Sequence, residues 1–101
     1  MQLLRGDDAA FVVVFDGPGA IVPVQWAVFA EVRDMGGAQA IEPRCNWISV
    51  DGPDAVQLVW TREQTQAMRA GQYKLALRFE RLDDGLVKTS GALTVTVRER
   101  L

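Results

Sequence analysis

The side chains able to do chemistry are few and poorly grouped. The chain has no histidine. That removes Ser-His-Asp and Cys-His arrangements and most zinc sites, all of which use an imidazole. Cys45 is the only cysteine, so no internal disulfide can form. With no histidine to activate a thiolate, it reads as a small buried residue in a strand. The acid pairs Asp7-Asp8 and Asp83-Asp84 could ligate calcium, but calcium takes roughly six to eight oxygens from a shaped loop. Both pairs sit in turn sequences, where aspartates bond their own backbone. Gly17-Pro18-Gly19 and Gly36-Gly37 lack the Lys, the Ser or Thr and the following helix of a phosphate loop. The expectation is no catalytic residue, no cofactor and no metal: the protein is not an enzyme.

The elements that hold these residues are mostly strands. Tyr73, Leu75, Leu77 and Phe79 alternate with Lys74, Ala76, Arg78 and Glu80, the period of a half-buried strand, predicted over residues 72–81. Before it, Thr61 and Gln64 have the spacing of a capping box. A short helical turn is expected there, stopped by Gly71, which can take a left-handed conformation. Further strands are predicted at residues 2–5, 11–15, 21–33, 45–50, 56–61 and 86–98, with a short one at 38–42. In 21–33, Pro23 delays regular pairing, and Val24, Trp26, Val28, Ala30 and Val32 make the core stripe. In 86–98, Gly91 marks a bulge or a close backbone approach. Asp16-Gly17-Pro18-Gly19, 34–37, 51–54 and Asp83-Asp84-Gly85 are turns, the last a hairpin. About seven short strands with turns roughly every 8–12 residues indicate an all-β sandwich or barrel.

Length and composition set the outer bounds. The 101 residues make one domain, and 49% hydrophobic content supports a single core. A net charge of −2, with eleven basic residues spread along the chain, argues against nucleic-acid binding, which needs a clustered basic face. No run approaches the roughly 20 apolar residues of a membrane span, so no membrane association is expected. MQLLRGDD has no long apolar core of a secretion signal. With the lone cysteine, this fits synthesis in a reducing cytoplasm.

Several of these features recur together. Arg5-Gly6-Asp7 leads into a strand, followed by Trp26 and Val32-Arg33, then Thr61-x-x-x-Thr65, Gly71-x-Tyr73, Asp84-Gly85 and Gly91-x-Leu93-x-Val95. This order resembles the small immunoglobulin-like domains of tailed-phage structural proteins. It is similar to the N-terminal domain of phage baseplate upper proteins and to short stand-alone phage and prophage proteins. The resemblance covers residues 4–97, and the Gly71-x-Tyr73 region is its most specific part. It implies an immunoglobulin-like antiparallel β-sandwich and a non-enzymatic structural or accessory role in a phage or prophage particle. The chain would then be made in the bacterial host cytoplasm and carried in the virion. Members of the family often continue past the last strand into another domain, whereas this sequence ends at Leu101, as a free-standing virion protein would. Independently, a tyrosine at a corner between sheets can bond its hydroxyl to the preceding turn. That role is assigned to Tyr73, in preference to ligand binding.

The outer faces are the remaining place for function. Val12, Val14, Ala27, Phe29 and Val59 fall opposite the core stripes, and a monomer rarely leaves a contiguous apolar patch uncovered. Val12, Val14, Phe29 and Val59 are therefore candidate contacts with other virion proteins or with copies of the chain, and a homo-oligomer is expected. The alternative is that residues 38–47 fold over them. Trp26 and Trp60 lie on core stripes; Trp47 alone stays open as a sugar platform. The rival function is accordingly a small binding module that recognises a carbohydrate or host protein through loops near Trp47, Gly36 and Asp51.

Overall fold

The computed structural model describes residues 1–14, 25–49 and 54–100. Its elements in chain order are β1 (Gln2–Leu4), β2 (Ala9–Val14), β3 (Trp26–Asp34), β4 (Arg44–Ser49), β5 (Asp54–Trp60), α1 (Arg62–Ala67), β6 (Gly71–Arg81), β7 (Val87–Thr89) and β8 (Leu93–Arg98). One sheet has the order β1-β8-β6-β3, with β7 also paired to β6; the other is β2-β5-β4. Every pairing is antiparallel except β1 with β8. The chain is therefore all-β, a two-layered sandwich with one short helix between the layers' central strands.

Alternation decides which face of each strand is buried. β6 turns Tyr73, Leu75, Leu77 and Phe79 inward, and β5 turns Val56, Leu58 and Trp60 to meet them. Trp26, Ala30 and Val32 of β3 complete the interior, so both predicted core tryptophans share one core with Leu77. Burying a leucine- or valine-sized side chain contributes about 1.5–3 kcal/mol, and among the described residues eight leucines and valines face one interior.

The joins between the layers are polar and specific. The Trp60 indole N–H donates to the Ile41 carbonyl at 3.2 Å, and the Trp47 indole N–H donates to the Trp26 carbonyl at 3.1 Å. The Tyr73 hydroxyl donates to the Arg69 carbonyl at 2.7 Å, the corner expected from the sequence.

Three elements differ from expectation. Residues 38–42 form no strand. Gln39 makes an isolated bridge to Arg33, and the Ala40 N–H donates to the Val32 carbonyl at 2.8 Å. The segment is pulled off the β3 edge because it must cross to the other sheet, where Pro43 is buried just before β4. Gly71 does not stop the helix. α1 ends at Ala67, and Met68 is its C-cap in an extended conformation. Met68 is only 3% exposed, so turning that side chain into the core breaks the helix before the glycine is reached. Gly71 instead opens β6 with φ +144°, a conformation that side-chain-bearing residues rarely adopt.

The strand predicted over 86–98 is two strands. β7 pairs Arg78 with Thr89, whereas β8 pairs Leu75 with Leu93, so the register shifts by one residue between them. The Ser90 N–H donates to the Leu77 carbonyl at 2.8 Å, and its hydroxyl accepts the Leu77 N–H at 2.9 Å. Gly91 follows as the extra residue of a bulge. The expected turns at 16–19 and 51–53, the pairing limit at Pro23 and the end of the second strand at Phe15 lie outside the described residues.

Candidate interaction surfaces

Some of the residues that carried the resemblance, Arg5-Gly6-Asp7, Thr61, Thr65, Gly71 and Tyr73, lie around α1, whereas Trp26 and Asp84 lie at the Arg81 end of β6. Thr61 and Gln64 form the full capping box. The Gln64 N–H donates to the Thr61 hydroxyl at 3.2 Å, and the Thr61 N–H to the Gln64 side-chain oxygen at 2.8 Å. Asp8 adds a second cap, accepting the Arg62 N–H at 2.7 Å. Thr65 is fully buried. Its hydroxyl accepts from the Gly6 N–H at 3.0 Å and lies 2.8 Å from the Asp7 carbonyl and 3.1 Å from that of Arg62. Arg5 donates to the Gln66 carbonyl at 2.9 Å and pairs with Glu99. Gly6, at φ +84°, lets the chain turn closely enough to reach Thr65. The Arg5-Gly6-Asp7 turn is thus fastened to α1, and Gly71 and Tyr73 lead from α1 into β6. One polar atom of this corner is left over, the buried Arg5 Nε, which has no hydrogen-bond partner, and a hollow of about 490 Å³ lined by Ala67, Met68, Arg69 and Tyr73 among others borders it.

The groups singled out for chemistry are engaged. The Cys45 thiol is half-buried, and burial pushes its pKa up to about 11, against the lowering effect of the Ala30 backbone and with help from the Glu42 charge. A thiol so placed is a weak nucleophile at neutral pH. Asp7 faces Arg100 and Asp8 faces Arg62. Asp83 and Asp84 both face Arg81, and the Arg81 guanidinium with the Leu86 N–H holds the Asp84 carboxyl well below the usual carboxylate range. Among the described residues no group of three or more candidate ligands could hold a metal ion. Trp47 packs on the core, its ring 6.0 Å from that of Phe79, so it does not present a free aromatic platform. Asp51, of the same loop reading, lies outside the described residues; Gly36 belongs to the exposed turn after β3.

The four contact candidates do not form one patch. Strand registers place Ala10, Val59 and Arg44 in one row across the outer face of β2-β5-β4, Val12, Gln57 and Asn46 in the next, and Val14, Ala55 and Ile48 in the third. Val12 and Val14 are each 47% exposed, and Ala9–Val14 carries no charge or proline. Val12, Val14 and Val59 therefore share one outer face, with Arg44, Gln57 and Asn46 interspersed. Phe29, 49% exposed, lies on the outer face of the other sheet, with the sandwich core between it and the valines. Periodicity separates inward from outward positions, but it does not say which of two sheets an outward residue belongs to.

Around Phe29 the surface is charged. The Arg78 guanidinium sits 5.8 Å from the Phe29 ring centroid and bridges Glu31 at 3.5 Å and Glu80 at 3.1 Å. These partners raise the already high Arg78 pKa, fixing the positive charge on the ring face. A groove of about 280 Å³ beside it is lined by Phe29, Glu31, Arg33, Gln39, Glu42 and Arg78, so the 38–42 segment borders Phe29 without covering it. The sequence marks Lys74, Arg78 and Glu80 only as outward positions of a half-buried strand; their same-face spacing on β6 is the signal for this charged surface.

No helix among the described residues is long and apolar enough to cross a membrane. No protein-family model matches the chain, and no curated protein matches it either.

Proposed function

We propose that the protein is a non-enzymatic assembly domain, a structural or accessory component of a tailed-phage or prophage particle that acts by protein-protein contact. The observation that carries the contact reading is the outer face of β2-β5-β4. Its Val12 and Val14 are about half exposed on a strand with no charged residue, beside Val59 in the neighbouring strand. Exposed apolar clusters of this kind mark docking surfaces. The particle context rests on the sequence resemblance alone. The alternative, a small module that binds a carbohydrate or host protein through loops near Trp47, has less support, since Trp47 packs partly buried against the core.

The test is to purify particles by density gradient from the host that makes the protein and to probe them for this chain. Co-migration with particles at a fixed copy number is expected. Val12→Asp with Val59→Asp should leave the domain folded, because both side chains point outward, yet absent from the particles. A wild-type chain found only in the soluble host fraction would overturn the proposal.

A further inference from the structure

The opposite face has a charge order that matches itself. Where β3 and β6 pair, the registers give four successive rows: Ala27, Glu80 and Val87; Phe29, Arg78 and Thr89; Glu31 and Ala76; Arg33, Lys74 and Thr94; an uncharged row of Gln72, Thr96 and Gln2 follows toward β1. Read down the strands, the charges run negative, positive, negative, positive. Reversing that order exchanges every sign. A two-fold axis lying in the plane of the face and across the strands, level with the paired residues Ala30 and Leu77, reverses the order in this way. It sets the Glu80 row against the Arg33 and Lys74 row of a second copy, and the Arg78 row against the Glu31 row.

Because such an axis keeps each strand opposite its own copy, Phe29 lies over Glu31 of the second copy and Arg78 over Ala76, diagonal to that Glu31. A hollow of about 450 Å³ opens there, lined by Met35, Lys74, Ala76 and Ala92 among others. From this charge order we infer that the β3-β6 part of this outer face is an isologous dimer interface, occupied by a second copy of this chain. In such a contact each residue pair occurs twice, so Glu80 meets Lys74 at two symmetric places. Charge complementarity of this kind fixes the register and speeds encounter. The inference does not rest on the assembly role proposed for the β2-β5-β4 face, since the two surfaces lie on opposite sides of the core.

Sedimentation velocity on the full chain tests it. The wild type is expected to form a dimer that weakens as salt rises, because rim charges are screened. Lys74→Glu alone and Glu80→Lys alone each place like charges opposite one another and should raise the dimer dissociation constant by about tenfold or more. Mixing the two variants should restore dimers, since a Lys74→Glu copy facing a Glu80→Lys copy has opposite charges at both places. Rescue on mixing also excludes misfolding as the cause of the single-variant defects. A wild-type monomer at high protein concentration, a dimer indifferent to salt and to both single variants, or failure of the mixture to pair would overturn the inference. The Val12→Asp, Val59→Asp variant should dimerise as the wild type does, which separates failure of this interface from failure of the other face.

Discussion

Tyr73 is buried at its ring and polar at its tip, and both ends are used. The ring belongs to the core, while the hydroxyl holds the Arg69 carbonyl just after α1. Tyr73→Phe keeps the ring and removes that bond, at an expected cost of about 1–2 kcal/mol, read as a lower urea midpoint with an unchanged slope. Cys45 gives a pH-dependent counterpart. Its folded pKa of about 11 lies above the ordinary value of 9.0. Stability linked to this thiol is therefore full below about pH 9, where both states hold the proton. It is lost as pH rises toward 11, because the unfolded chain ionises first. Cys45→Ala should flatten the stability profile between these limits, and wild-type alkylation at pH 8 should be slower in the native than in the unfolded protein. For Asp84 the sign reverses. Its depressed pKa gives a contribution present above the usual aspartate range and lost only as pH falls well below it, so the Asp84 cap on Leu86 should persist in mild acid.

At the scale of elements, α1 shows what a sequence can and cannot declare. The helix's start was legible because the capping box is local: Thr61 and Gln64 need only each other. Its end was not, because the signal was the burial of Met68 in a core assembled from distant strands. The β6 pattern was legible for the same reason as the cap, with four inward residues at a strict period of two. The split between β7 and β8 was hidden, since only pairing with Leu77 reveals that Ser90 supplies its hydroxyl to the ladder. Thr65 links these scales. Its side chain joins the Gly6 turn to α1, and Thr65→Val preserves shape while leaving the Gly6 N–H and the Asp7 carbonyl unpaired. The expected loss is about 2–3 kcal/mol, with faster amide exchange concentrated at residues 5–8 and at β1, whose parallel pairing to β8 begins beside this turn.

For the molecule as a whole, the consequence of a sandwich is that its two outer faces point apart and share no side chain. The valine-bearing face of β2-β5-β4 and the charge-ordered β3-β6 face can each be occupied without blocking the other. A dimer built through the charged face would then present two valine-bearing faces outward, one at each end, so that one assembled unit can bridge two neighbours. Perturbations of surfaces that share no partners should combine additively, within roughly 0.5 kcal/mol. Val12→Asp should leave the dimer dissociation constant unchanged while removing the chain from particles. Lys74→Glu should weaken the dimer, and its effect on particle occupancy should equal the loss of two-point attachment, which raising the protein concentration recovers. The triple variant Val12→Asp, Val59→Asp, Lys74→Glu should show the two defects side by side, measured by sedimentation and by particle incorporation. If Val12→Asp alone dissolved the dimer, or Lys74→Glu alone abolished particle binding at every concentration, the faces would be coupled and the picture of a rigid two-sided adaptor would fail.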